Sequence, residues 1–511
     1  MNTQAPSARF AFAADARLGV PAPEWTPGAA VSLALAAAVT ALPVVAHLAG
    51  QPLGLATCAV LALMVAVFAA PALPTALIFS YLFQNLVVAL ISPQIANLDQ
   101  FNAIRAYNFV LTAVAWTAVV APYWSARLSF ARPLRILMDV STAALVLIGL
   151  YFLLGFKANP GAALVYLRNI ATPFLLFQIF LLVAYRHRVA LTASLIVIAV
   201  VCLVYGYLEI LDHDHLFGVI NGDTYLHWRT RQDYDAGVYL KEMYETGRVM
   251  RSHMDALVVD FLNTPLLRDL GWQFYRLVGP NFHSISYAYV LAFFSVTLFA
   301  LRHRWYALLA LPVLLVIGSK GALVFAVLVI GATVVLLRLR GWTPLWIFAA
   351  LLVLYAAAGI VTGIRTADYH VIGFLGGLKG FLANPIGRGI GVGGNLSIDM
   401  ATRLDWSRSQ SLGHTDVAVE SAVGVLLYQM GVFGAVVLAM FGWIAAKLWR
   451  LYLDTGNRAC AAVALSVLVV GVNGIFQEEA LFAPLAMGMV LALAGLLLGR
   501  GCRAPPRMPT P

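Results

Sequence analysis

The sequence predicts an all-α fold, a polytopic membrane bundle of about fourteen transmembrane helices, and three observations predict it. Of 511 residues, 61% are hydrophobic and 11% charged, against roughly 45–50% and about 25% in ordinary soluble domains. Apolar runs of about 20 residues, the length that crosses a bilayer, recur along the chain. Basic residues fall between those runs in alternation, as orientation in a membrane requires. The length needs no set of soluble domains, because lipid supplies the apolar surroundings.

The first 28 residues are Pro/Ala-rich and lack a compact signal peptide. The run that follows exceeds the roughly 7–15 residues of a signal core, so it reads as a retained first span. The spans lie near 29–49, 52–70, 73–92, 106–124, 136–156, 169–185, 189–210, 284–301, 304–318, 321–337, 343–363, 419–446, 457–476 and 481–499. The basic runs Arg127 to Arg135, Arg186-His187-Arg188, Arg302-His303-Arg304, Arg338-Leu339-Arg340 and Lys447 to Arg458 each follow an even-numbered span. With segment 1–28 in the cytoplasm, all five runs are cytoplasmic, and Arg500 and Arg503 put tail 500–511 there too. Orientation thus absorbs most of the +10 net charge, and nucleic acid is not implied as a partner. Cys58, Cys202, Cys460 and Cys502 form neither a disulfide framework nor a CxxC metal site.

Within the transmembrane domain 29–499, two long polar loops, 211–283 and 364–418, face outward. Both contain amphipathic, helix-like stretches, such as Gly237 to Phe261 with Lys241, Glu242, Glu245, Arg248 and Arg251 on its polar side. No repeat or soluble linker is evident.

Several residues carry chemistry. Lys320, in the turn Gly318-Ser319-Lys320-Gly321, sits at or just inside the outer surface and is either functional or a snorkelling lysine. Gly389 to Gly394 satisfies GxGxxG without the strand and helix of a dinucleotide fold. It reads as a flexible turn or as a backbone that approaches a phosphate. Asp212-His213-Asp214-His215 reads as a hydrated loop start, because adjacent alternating ligands make poor tetrahedral geometry. Glu420 opens span twelve, where lipid raises a carboxyl's pKa and suits it to proton transfer, or it is a helix cap. Glu478 and Glu479 are a weaker version of that signal. Arg105, Arg168, Arg229, Arg231, Arg248, Arg251, Arg268, Arg276, Arg365, Arg388, Arg403 and Arg408 all fall outward. Together they suit an anionic substrate, phosphate above all, or most of them pair with nearby acids such as Asp233, Glu245 or Asp269.

Four of these features stand in a particular order. Ser319-Lys320-Gly321 precedes a span, Arg365 opens the second loop, Asn384-Pro385-Ile386-Gly387-Arg388-Gly389-Ile390-Gly391 runs through it, and Glu420-Ser421 is followed after nine residues by Gly431 and Gly434. Over about residues 300–440 the chain thereby resembles the O-antigen ligase and polymerase superfamily of bacterial envelope enzymes, with Lys for Arg in the hairpin and Glu for His in the closing motif. The resemblance implies an inverting glycosyltransferase, independent of metal and cofactor, on the periplasmic face of the bacterial inner membrane. It implies a polyprenyl-diphosphate-linked oligosaccharide as substrate, its lipid tail lying between spans. Glu420 and Arg365 are its implied catalytic residues, and Lys320, Arg388, Gly389 and Gly391 its diphosphate contacts. His414, as a substitute for the family histidine, and Ser421, Arg168, Glu478 and Glu479 are further candidates. The Glu-for-His departure points to a polymerase of repeat units, with a chain-length regulator and other polysaccharide-assembly proteins as partners. The rivals are a ligase that transfers glycan to lipid A core or protein, and a transporter or flippase of lipid-linked sugar, whose repeated halves are not seen here.

Overall fold

The computed structural model describes residues 27–235, 257–261, 271–397 and 405–503. Its first part comprises α1 (Ala29–Ala49), α2 (Gln51–Phe68), α3 (Leu73–Leu90), α4 (Leu98–Arg105), α5 (Tyr107–Ser125), α6 (Arg132–Phe156), α7 (Pro160–Arg186) and α8 (Leu191–Leu211). The first long loop holds α9 (His213–Ile220), α10 (Gly222–Asp235), β1 (Val258–Asp260) and β2 (Gln273–Tyr275), and leads into α11 (Ser284–Ala300), α12 (Trp305–Ile317), α13 (Lys320–Val335) and α14 (Thr343–Thr366). The second loop holds α15 (Tyr369–Ala383) and α16 (Trp406–Leu412). The chain then closes with α17 (Ala422–Met430), α18 (Val432–Thr455), α19 (Arg458–Asn473), α20 (Glu478–Phe482) and α21 (Met489–Gly501).

Each expected apolar run is occupied by helix. Among the described residues, eleven helical stretches are long and apolar enough to cross a membrane, and α11, α12 and α19 are apolar but shorter. The result is an all-helical, multi-pass bundle whose small sheet is the antiparallel pair β1–β2. At its centre lie α7 and the stretch Pro484–Gly501, most of whose residues are buried. They pack backbone to backbone, because Gly495 and Gly499 of α21 meet the carbonyls of Phe177 and Leu181 where any Cβ would collide. At the other extreme, α14 buries only five of its 24 residues.

Three departures from the sequence reading have local causes. First, α7 begins at Pro160 and not near 169, because Asn159 accepts a hydrogen bond from Ala162 N at 3.2 Å and proline is pre-set for the first helical position. Second, span twelve is broken at Gly431 (φ 57°, ψ −136°), and Val432 N donates to Pro385 O at 2.9 Å, so the second loop inserts at the break. Third, the end of the stretch expected to be an amphipathic helix, Val258–Asp260, is a strand, with Val259 paired to Phe274. Its β-branched valines suit a pleated ribbon, and residues 237–256 of that stretch lie outside the described residues. Asp212 serves as the N-cap of α9 and accepts from His215 N at 3.1 Å, while the His213 ring stacks between Phe217 and Tyr275.

The segment 384–397 threads between α6, α7 and α17. Its backbone is paired on the way: Arg388 N and Gly389 N donate to Gln429 O at 2.9 Å each, Ile390 N to Tyr151 O at 2.9 Å, and Gly394 N to Ala418 O at 2.8 Å. Gly391 (φ 92°) shows why glycine is needed, since a Cβ there would lie 2.5 Å from Ala163 N. Gly391→Ala should therefore destabilise the fold by roughly 2–5 kcal/mol, the sum of left-handed strain and overpacking. Gly442→Ala, within α18 and facing open space, should be neutral or stabilising by up to ~1 kcal/mol. Thermal unfolding of the detergent-solubilised protein checks both.

Candidate functional site

At the end of the bundle that carries the two long loops lies a cavity of about 740 Å³. Helices α3, α4, α5, α7 and α10 form one wall, and the chain before α11, Asn395, Leu396 and α20 form the other. Both long loops contribute to it.

One side is cationic, lined by Arg105, Arg168 and Arg229. Arg105 ends α4, where Gln84 Nε2 donates to the carbonyls of Ile104 (3.0 Å) and Arg105 (3.1 Å), and its guanidinium lies over the Phe101 ring. The early start of α7 puts Arg168 about two turns inside that helix, with its Nε donating to Asn169 Oδ1 at 3.2 Å. Arg229 donates to the carbonyl of Phe282. The turn before α11 is tied down from below. Glu209 of α8 accepts from Val278 N (2.8 Å) and Gly279 N (3.0 Å), and Asn85 Nδ2 donates to Asn281 O (2.8 Å). That turn delivers His283, whose Nδ1 caps α11 by accepting from Ser286 N at 3.3 Å, so the ring proton sits on Nε2. Burial, reinforced by the charges of Arg229, Arg276 and Arg105, pushes His283 down to about 3. It is a neutral donor among cations.

The other side is acidic. Glu478 opens α20 and is buried, with Oε1 accepting from Tyr166 OH at 2.6 Å, while Oε2 has no hydrogen-bond partner among the described residues. Burial pushes its carboxyl up to about 8; the Glu479 and Glu420 charges add to this and the Tyr166 hydrogen bond opposes it. Glu479, beside it, also lines the cavity. Glu420 adjoins them as the middle residue of a three-residue turn: its φ is 59° and Ser421 N donates to Val419 O at 2.7 Å. A positive φ on a carboxylate residue is strain of the kind that clusters at functional sites. Asn395 Oδ1, in the cavity wall, accepts from Glu420 N at 3.0 Å, and His370 Nδ1 lies 3.3 Å from its carbonyl and 3.6 Å from Oε2. Burial raises the Glu420 pKa, the His370 charge opposes that rise and the Glu479 charge adds to it. Arg276 lies within reach of both walls. Burial lowers its pKa against the opposing charges of Glu479 and Tyr369, and its buried Nε is unpartnered among the described residues.

Comparison with known proteins yields no match to a family model and no curated relative.

Of the residues singled out in the sequence, the fold gathers Arg105, Arg168, Arg229, Glu478 and Glu479 in the cavity wall, with Glu420 beside it. The others go elsewhere. The amides of Arg388, Gly389, Ile390 and Gly394 are spent on carbonyls, and Gly389 and Gly391 admit the close approach of helices α6 and α7. Arg388 lies 4.1 Å over the Tyr428 ring and donates to Gly380 O at 2.9 Å, away from the cavity lining. His414 bonds Lys379 Nζ (3.1 Å) and Thr415 O (3.3 Å), which leaves its ring occupied. Ser421 is a buried N-cap, accepting from Gly424 N at 3.1 Å and donating to Gly474 O at 3.3 Å. Arg365, in the last turn of α14, and Lys320, the first residue of α13, are exposed and do not line the cavity. Arg248, Arg251, Arg268 and Arg403 lie outside the described residues. Sequence reasoning missed Tyr166, His283, His370 and Asn395. Their only signal is a polar side chain in or beside an apolar run.

The Glu478 environment fixes a pH dependence. Its folded pKa stands above the ordinary 4.5 at about 8, so the folded state binds the extra proton. That contribution is complete below about pH 4.5 and is lost as pH rises towards 8. Glu478→Gln keeps the acceptor for Tyr166 without a titrating group. Its unfolding temperature should gain on wild type steadily from pH 5 to 8, as measured by thermal unfolding across that range.

Proposed function

We propose that this chain is a glycosyltransferase that polymerises polyprenyl-diphosphate-linked oligosaccharide repeat units, with fourteen spans, both termini in the cytoplasm and the cavity on the periplasmic face of a bacterial inner membrane. The observation that carries this reading is one cavity lined by Arg105, Arg168 and Arg229 and by Glu478 and Glu479, with Glu420 beside it. The motif order over residues 300–440, which resembles the O-antigen ligase and polymerase superfamily, supports it independently.

In this reading the donor diphosphate lies against Arg105, Arg168 and Arg229, whose guanidinium groups match phosphate oxygens, with His283 donating from Nε2. The acceptor sugar hydroxyl attacks the anomeric carbon. The new C–O bond forms as the bond to the diphosphate oxygen breaks, and the carrier leaves as polyprenyl diphosphate. The hydroxyl proton passes to Glu420, where burial and the Glu479 charge favour its capture. The neutral Glu478 carboxyl donates a hydrogen bond through Oε2, which orients a sugar oxygen without adding negative charge. The developing charge on the leaving group meets fixed cations in a partly desolvated site, where they act most strongly.

Arg168→Ala, Glu420→Gln and Glu479→Gln should each lower polymer synthesis by about 10²-fold or more. The check is the glycan profile of cells carrying each variant or a deletion, with the polyprenyl-linked pool analysed in parallel. Loss of polymer with accumulated single repeat units is expected. Long polymer left on its lipid carrier would mean a ligase, and units trapped on the cytoplasmic face would mean a transporter.

A further inference from the structure

Helix α21 leads away from the cavity and finishes against α18 at the far end of the bundle. There α18 carries Trp443, Lys447 and Arg450. Spacings of four and three residues put all three on one face of the helix. The Lys447 ammonium lies 5.1 Å over the Trp443 ring, and Arg450 follows about one turn further on. An apolar helix that passes through an aromatic ring to cations crosses the boundary between hydrocarbon and headgroups in that order.

This face borders a crevice. α18 packs on both α6 and α21, and the three leave an open slot between them. Its floor is apolar: Ile136 and Leu137 come from the first two turns of α6, Leu498 from the last turn of α21, and Cys502 directly follows that helix. Lys447 and Arg450 also line it. The accessible lining is almost wholly apolar, so both contribute their stems and hold their charged ends at the mouth. Among the described residues no acid lines the slot. Asp139, one turn further along α6, is held by Arg127 through bonds of 3.1 and 2.5 Å, and Asp454 stands one turn beyond Arg450.

We propose that the crevice binds an anionic phospholipid of the surrounding membrane, with its phosphate between Lys447 and Arg450 and one acyl chain along Ile136, Leu137 and Leu498. Charge complementarity selects the headgroup, as in other basic pockets between membrane helices. The apolar floor selects a lipid over a free phosphate, because a small anion gains nothing from Ile136 or Leu498 while an acyl chain buries them. The site lies apart from the cavity, and the inference does not rest on the proposed glycosyl transfer. A lipid seated there touches α6, α18 and α21 at once, so it should also stabilise their packing by mass action.

The test is native mass spectrometry of the full chain in detergent with equimolar phosphatidylglycerol and phosphatidylethanolamine of the same acyl chains, repeated with excess inorganic phosphate. Wild type should retain phosphatidylglycerol over phosphatidylethanolamine by roughly tenfold or more, the scale set by two cations beside an anionic headgroup, and inorganic phosphate should not displace it. Lys447→Ala/Arg450→Ala should lose the preference. Ile136→Trp, which fills the floor and leaves both charges, should lose the bound lipid. Lys447→Arg should retain the preference and guards against a folding defect. Arg338→Ala/Arg340→Ala, an exposed pair at the same end but outside the crevice, should retain it too. The proposal is overturned by a wild type without preference, by a preference that survives in Lys447→Ala/Arg450→Ala, or by one that falls equally in Arg338→Ala/Arg340→Ala. Displacement by inorganic phosphate overturns it as well, since the apolar floor would then contribute nothing.

Discussion

Irregular backbone set among apolar helices must find partners for its amides and carbonyls within the protein, because lipid offers none. The segment 384–397 obeys this constraint with carbonyls of α6 and α17 and with close approaches that only glycine permits. Its course decides where Asn395 falls, and Asn395 decides how Glu420 is presented. The break of the twelfth apolar run at Gly431 belongs to the same device, since the run opens where Pro385 needs a donor.

Charge in the cavity is sorted by burial and by who sits beside whom. His283 is kept neutral by burial and surrounding arginines, and Glu478 by burial and neighbouring carboxylates. Both are therefore held neutral, each with a proton available to donate. The arginines opposite crowd like charge into one wall, an arrangement relieved by an anion with several oxygens. A site so divided suits a substrate with a strongly anionic part and a neutral, hydroxyl-rich part.

The fold was legible to a large degree. Apolar run length alone located the long helices, because a spanning helix must bury some 20 residues in hydrocarbon whatever its neighbours are. Boundaries were less legible where a cap intervened, as at Asn159, which moved Arg168 from the start of a helix into its interior. Of the site, Glu420, Glu478, Glu479, Arg105, Arg168 and Arg229 were visible as charges out of place. Arg388, Gly389 and Gly391 looked like phosphate ligands because glycine and arginine serve close packing and ring stacking as readily as they serve anions. Tyr166, Asn395, His283 and His370 were invisible as site residues, since nothing local tells a buried structural hydroxyl, amide or imidazole from one that faces a cavity.

By itself, the sequence determined that this is a multi-pass helical membrane protein and which of its polar residues are costly to bury, since hydropathy and charge are properties of single residues and short runs. Only the tertiary structure decided which of them meet. Glu420 and Glu478 are 58 positions apart in the chain, and Tyr166 reaches Glu478 across 312. Such contacts depend on how helices cross and where a loop inserts. Those follow from close packing of whole surfaces, which no local pattern encodes.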